Sequence, residues 1–178
     1  VKNYGGLGRG LGWPQLFGKD TGEPPPTTVI ASTMVTIINV LALAVGASVL
    51  IISIINIHAP GFSIDALLAK NMIFFFGHVF INATIYMSII AVYEILPRYT
   101  NRQWKASKPF LIAWTASTIM VLIVYPHHLL MDFVMPSWML LMGQIISYLS
   151  GLPVLVVTMI GTLTIVHRSS INWDATSG

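Results

Sequence analysis

Apolar residues fall into four long runs along the chain, and short polar segments separate them. The runs cover residues 28–57, 67–96, 109–130 and 137–166. Each run reaches the ~20 residues that an α-helix needs to cross a hydrocarbon core of ~30 Å. The pattern therefore predicts an all-α integral membrane protein with four transmembrane helices, and Pro153 predicts a kink in the fourth.

The composition agrees with a membrane protein and excludes several other classes. Of the 178 residues, 55% are hydrophobic and only 8% are charged, whereas a soluble domain carries roughly 25% charged residues. The chain has no cysteine, which excludes disulfides and thiolate metal sites. The net charge of +3 is small, and the basic residues lie in short loops, so nucleic-acid binding is not expected.

The loop charges predict the orientation in the membrane. The segment 97–108 carries four basic residues and no acidic one, namely Arg98, Arg102, Lys105 and Lys108. Such a segment is expected in the cytoplasm. The loops on the other side contain Asp65 and Asp132 but no Lys or Arg. We interpret Asp132 as solvated at the membrane edge, and we expect Lys70 to extend outward from its helix.

The apolar runs and their flanking segments divide the chain into three regions, and the predicted orientation places both termini in the cytoplasm. Residues 1–27 are rich in Gly and Pro, which predicts a cytoplasmic loop without a regular element. Residues 28–168 form the four-helix transmembrane region. Residues 169–178 form a cytoplasmic tail or loop.

Three of the five histidines lie inside the predicted spans, where a polar side chain is costly and usually functional. At 1.5 Å per residue, His78 lies about 29 Å from Pro97, and His127 lies about 29 Å from Lys108. Because these two helices run in opposite directions, we expect His78, His127 and His128 to lie at one depth.

The three histidines predict a metal site. Adjacent helical residues point ~100° apart, and Pro126 supplies the distortion that lets His127 and His128 reach one ion. Three neutral imidazoles favour copper or zinc with an open coordination position. The alternative is that they only hydrogen-bond to neighbouring helices or line a polar cavity.

Two segments resemble a known family. GHVFINATIYMSIIAVYEILPR (77–98) and YPHHLLMDFVMPSW (125–138) resemble the central part of subunit I of the haem-copper oxidase superfamily, and most closely its B-family oxygen reductases. The resemblance implies that the four helices are the fifth to eighth of a twelve-helix bundle. It also implies that His78, His127 and His128 ligate the copper called CuB. The family's haem ligands lie outside this chain, so we expect the chain to be part of a longer subunit or complex.

The resemblance also implies a path for protons from the cytoplasmic side. Tyr93 and Ser147 fall at or near positions where the B-family has residues of this path, and Glu94 is a candidate for the site of proton uptake. On the residues alone, Tyr93 is equally well an aromatic anchor at the membrane interface. Glu94 is equally well a solvated acid at a helix end.

One position departs from the family pattern. Oxygen reductases usually have a tyrosine four residues after the first copper ligand, where it is a donor in O–O cleavage, and this chain has Asn82. Nitric oxide reductases of the same superfamily also lack the tyrosine. They carry glutamates on this helix, however, and the helix has none before Glu94.

The resemblance therefore implies a cytochrome c or quinol oxidase that reduces O2 to water in the plasma membrane of a prokaryote. Its expected partners are membrane lipid, the remaining helices of subunit I, and a subunit II with a copper centre or a quinol site. The electron donor would be cytochrome c, a small copper protein or quinol. The alternatives are a nitric oxide reductase-like member and a non-catalytic structural membrane subunit.

Overall fold

The computed structural model describes residues 4–19, 22–102 and 106–167, and every element in this part of the chain is helical. The elements are α1 (Leu7–Gly10), α2 (Trp13–Leu16), α3 (Thr27–His58), α4 (Ala66–Thr100), α5 (Lys108–Ile123), a 3₁₀ helix at Tyr125–Leu129, α6 (Ser137–Leu155), a π-helical segment at Val156–Ile160, and α7 (Gly161–Val166). We call Tyr125–Leu129 the histidine turn, and Val156–Ile160 the π segment.

Four of the helical stretches are long and apolar enough to cross a membrane. They are Thr27–His58, Ala66–Thr100, Lys108–Leu129 and Ser137–Met159. The prediction of an all-α, multi-pass membrane protein with four transmembrane helices is therefore confirmed. The two longest stretches have 32 and 35 residues, so they must tilt or extend beyond the hydrocarbon core.

Hydrogen-bonding side chains fix where two of the long helices begin. The Asp65 carboxylate accepts a hydrogen bond from the Leu68 N–H at 2.8 Å and caps α4. The Ser107 hydroxyl accepts one from the Phe110 N–H at 3.4 Å and caps α5. Such caps satisfy N–H groups that have no partner within the helix.

Proline changes two helix boundaries relative to the sequence prediction. The third span is not one helix to residue 130, because α5 ends at Ile123 and the histidine turn follows. Pro126 has no N–H to continue the α-helical hydrogen bonds. The fourth span is also not one regular helix, since α6 ends two residues after Pro153 and gives way to the π segment and α7.

The N-terminal segment contains two helical turns, although its Gly and Pro content predicted no regular element. Gly12, with φ of 71°, precedes α2, and Pro14 occupies the first turn, where its missing N–H costs nothing. A Cβ at Gly12 would lie only 2.6 Å from Leu111 Cδ2. The glycine therefore lets this segment pack directly on α5.

The buried core runs from the end of the bundle that contains Tyr93 to the level of His78. It contains the first half of α3, the part of α4 from Val79 to Tyr93, and the part of α5 from Phe110 to Val121. Beyond Ala42, no side chain of α3 is buried. The other half of α3 is therefore exposed to lipid or to further helices.

Candidate metal centre

The structure brings the three intramembrane histidines together. His78 lies on α4, and His127 and His128 lie on the histidine turn. One ring nitrogen from each lies within 4.8 Å of the others. His78 Nδ1 and His128 Nε2 are 2.9 Å apart, and the ring centroids of His127 and His78 are 4.8 Å apart.

The 3₁₀ geometry of the histidine turn sets the directions of the two adjacent imidazoles. The His127 N–H donates to the Val124 carbonyl at 3.0 Å, which is the i→i+3 pattern of a 3₁₀ helix. Each residue of such a helix advances about 120° instead of 100°. Over the four residue-to-residue steps from Val124 to His128, this difference rotates the final side chain by about 80°.

Each imidazole also has a polar or aromatic neighbour outside the cluster. The Asn82 amide nitrogen lies 3.4 Å from His78 Nε2 and donates to the His78 carbonyl at 2.8 Å. Ser147 Oγ lies 3.2 Å from His127 Nδ1, which leaves Nε2 as the nitrogen of His127 that can face a metal. The Phe74 ring stacks on His128 with the centroids 6.0 Å apart.

The cluster is closed on one side and open on the other. His78 is buried, with 7% of its surface exposed, whereas His127 is half-buried and His128 is exposed. The open side therefore lies next to the histidine turn, where a second group could approach from outside this chain.

The donor set fits a metal ion such as copper or zinc. Nitrogens bound at about 2.0–2.1 Å around one ion lie about 3.3–3.6 Å from one another. The separations in the cluster, which begin at 2.9 Å and stay within 4.8 Å, bracket this range. Imidazole suits copper, and a set of three leaves a coordination position open.

Ser147 is separated from the other two residues that the resemblance assigns to a proton path. Ser147 touches His127, whereas the Tyr93 hydroxyl donates to the Val157 carbonyl. Ten residues of helix, or about 15 Å, lie between Ser147 and Val157. The structure thus places Ser147 at the histidine cluster and Tyr93 at the opposite end of the bundle.

Tyr93 is not an anchor at the surface of this chain. It is 2% exposed, and its hydroxyl accepts a hydrogen bond from Trp114 Nε1 at 3.3 Å. Glu94, by contrast, is exposed and pairs with Arg98 at 3.1 Å. Both residues line an open depression of about 740 Å³, together with Glu23 and Arg98.

The tyrosines close to the histidines in sequence have other neighbours in the part of the chain that the structure describes. The Tyr86 ring packs edge-on against Trp114, with the centroids 5.4 Å apart. The Tyr125 hydroxyl donates to Asn71 Oδ1 at 3.2 Å. At the position where oxygen reductases usually have a tyrosine, Asn82 is in contact with His78.

The interpretation of Asp132 as a solvated acid is wrong. Its side chain is 11% exposed and forms an ion pair with Lys70, whose own side chain is 41% exposed. The hydrogen bond from Lys70 and a second one from the Val134 N–H hold the pKa of Asp132 below its usual range. The pair ties the loop after the histidine turn to the start of α4.

Gly143 is a contact of the cluster that the sequence did not reveal. A Cβ at this position on α6 would lie 2.8 Å from the backbone nitrogen of His127. A glycine in an apolar helix is common, and the sequence contains no signal that tells which neighbour it faces.

Comparison with known proteins gives one match. The family model described as cytochrome c and quinol oxidase polypeptide I matches residues 19–177. No curated protein and no solved structure matches the chain. Because the family match covers most of the chain, including all three clustered histidines, the chain belongs to the cytochrome c and quinol oxidase polypeptide I family, the subunit I of haem-copper oxidases.

Proposed function

We propose that this chain is the copper-binding part of subunit I of a terminal respiratory oxidase that reduces O2 to water at a haem–copper centre. The convergence of three imidazoles at one depth of the bundle is the observation that carries the proposal. His78, His127 and His128 would hold the copper. When bound, copper would supply redox chemistry and an open coordination position.

Ser147 would help to orient one of these ligands. Its hydroxyl can accept a hydrogen bond from the His127 Nδ1–H, and a contact of this kind fixes the orientation of a ligating ring. Asn82 donates to the His78 carbonyl and so contacts the backbone of a second ligand. The haem would be held by histidines outside this chain. Electrons would come from cytochrome c, a small copper protein or quinol, through a subunit II with a copper centre or through a quinol site.

Protons would enter from the cytoplasmic side in this proposal. The open depression lined by Tyr93 and Glu94 supports uptake at that end of the bundle. The basic segment 97–108 supports a cytoplasmic position for the same end. Both termini would then be cytoplasmic, in the plasma membrane of a prokaryote.

Metal and haem analysis of the purified complex tests the proposal. We expect one copper per complex in the wild type and its loss in His127→Ala, with haem retained. The matched control is His58→Ala, which changes an exposed histidine at the end of α3 and should keep its copper. Equal metal content in all three proteins would contradict the proposal and favour a structural subunit.

A second candidate function is nitric oxide reduction, because Asn82 weakens the oxygen-reductase proposal. This reaction would need a carboxylate near the metal, and a residue outside the cluster of three histidines would have to supply it. An amide beside His78 cannot donate the electron and proton that a phenol supplies in O–O cleavage. Reducing two NO to N2O requires half as many electrons as reducing O2 to water, so this reaction has less need of such a donor. Turnover of the same purified complex with O2 and with NO distinguishes the two reactions. Iron in place of copper would also favour nitric oxide reduction.

A further inference from the structure

Helix α6 approaches the backbone of the histidine turn at Gly143. A Cβ built on Gly143 would lie 2.8 Å from His127 N, 3.0 Å from the Pro126 carbonyl carbon and 3.3 Å from His127 Cα. All three neighbours are backbone atoms, which cannot move aside as the end of a flexible side chain can. The missing side chain is therefore what allows α6 to lie this close to the turn.

The same face of α6 contacts the imidazole of His127. Ser147 follows Gly143 by four residues, so both lie on one face of the helix. Its Oγ is 3.2 Å from His127 Nδ1. Helix α6 thus meets His127 twice, at the backbone through Gly143 and at the ring through Ser147.

The other two histidines have their neighbours on α4. His78 is on α4 itself and contacts Asn82 one turn away. His128 stacks on Phe74, which is also on α4. Among these contacts, only those of His127 come from α6, so the spacing between α6 and the histidine turn acts on this histidine directly.

We propose that Gly143 is a positioning residue for the metal site: it seats α6 against the histidine turn so that Ser147 can orient the His127 ring. The inference rests on the proposed metal-binding function of the cluster. An alanine at position 143 must separate α6 from the turn or shift the turn itself. Either movement changes the direction of the His127 ring and lengthens its contact with Ser147.

The test compares the purified complexes of the wild type, Gly143→Ala and Gly151→Ala. Gly151 lies on the same helix, and a Cβ there would meet nothing within 4 Å, so this variant controls for adding a methyl group to α6. We would measure the ratio of copper to haem, the retention of copper against a chelator, and the infrared stretch of carbon monoxide on the reduced metal. The carbon monoxide stretch reports the ligand arrangement and would not change with a general loss of stability.

We expect Gly143→Ala to hold copper about 10- to 100-fold more weakly, as is typical when a group that orients a ligand is lost. Its carbon monoxide stretch should shift, while haem content stays at the wild-type level. Gly151→Ala should match the wild type. Wild-type copper retention and an unshifted stretch in Gly143→Ala would overturn the inference.

Two variants of Ser147 test the inference if the Gly143→Ala complex does not assemble. Ser147→Ala removes the hydroxyl that faces His127, and Ser147→Thr keeps one. The inference requires weaker copper retention and a shifted stretch in Ser147→Ala, with recovery in Ser147→Thr. Identical behaviour of Ser147→Ala and the wild type would overturn it. A wild-type complex with haem but no metal at the cluster would instead show that the proposed function is wrong.

Discussion

At the residue scale, the Tyr93 hydroxyl joins three parts of the bundle. It lies on α4, accepts a hydrogen bond from Trp114 of α5 at 3.3 Å, and donates to the carbonyl of Val157 in the π segment. A π-helical turn interrupts the regular α-helical pattern of hydrogen bonds. The Tyr93 contact with Val157 therefore falls at the interruption in the fourth span.

Replacing Tyr93 with Phe tests whether this hydroxyl has a structural role, a role in proton uptake, or both. The change leaves the Trp114 N–H without its acceptor and the Val157 carbonyl without this donor. An unsatisfied buried group costs about 1–3 kcal/mol. We expect a lower temperature for thermal loss of the haem absorbance, and slower turnover if Tyr93 also carries protons.

The control for Tyr93→Phe is Tyr148→Phe, which removes a hydroxyl from a side chain that is 86% exposed. This control should change neither the temperature for thermal loss of the haem absorbance nor the turnover rate. A destabilised Tyr93→Phe complex that turns over at the wild-type rate would restrict Tyr93 to a structural role. An unchanged thermal transition would show that the hydrogen bonds of Tyr93 with Trp114 and Val157 do not stabilise the complex.

At the element scale, the sequence predicted what depends on local pattern and missed what depends on distant contacts. The four spans follow from the length of the apolar runs, and the break near Pro126 follows from the missing N–H. The contact of Gly143 with His127 and the pairing of Lys70 with Asp132 join residues on different elements. Nothing in the local pattern specifies such a partner.

The position of the three histidines could be predicted only in part from the sequence. Equal depth was predicted by counting 1.5 Å per residue along two antiparallel helices, and the structure places the three rings side by side. Depth alone does not fix the rotation of a helix about its axis. That rotation depends on packing between helices, which a count of residues does not contain.

The histidine turn makes a further prediction at this scale. In Pro126→Ala the backbone N–H is restored, so α5 can continue as a regular helix beyond Ile123. Conversion of the turn to α-helix would rotate His128 by about 80°. We therefore expect copper to be held at least about 10-fold more weakly, as measured by retention against a chelator, with haem unchanged.

The matched control for Pro126→Ala is Pro60→Ala, which changes an exposed proline in the loop between α3 and α4. It should keep the wild-type copper affinity. If Pro126→Ala also keeps it, then packing rather than the missing N–H determines the shape of the turn. That outcome would show that Pro126 is not needed to position the histidines of the metal site.

At the scale of the whole molecule, the buried residues are unevenly distributed along α3. The core packs the first half of α3 against α4 and α5, whereas the second half of α3 has no buried side chain. Large apolar residues such as Ile51 and Ile57 are exposed there, at 56% and 73%. In a subunit I of this family, such a surface faces lipid or the remaining helices of the bundle.

The orientation of the whole bundle can be tested because the chain contains no cysteine. A cysteine introduced as Gly61→Cys would lie in the exposed loop between α3 and α4, where an added side chain meets nothing within 4 Å. A second one, Gln103→Cys, falls within the basic segment 97–108. In intact cells, a membrane-impermeant thiol reagent should label this chain at position 61 and not at position 103. After permeabilisation it should label both. Labelling at position 103 in intact cells would reverse the proposed orientation, and protons taken up at the end that contains Tyr93 and Glu94 would then come from outside the cell.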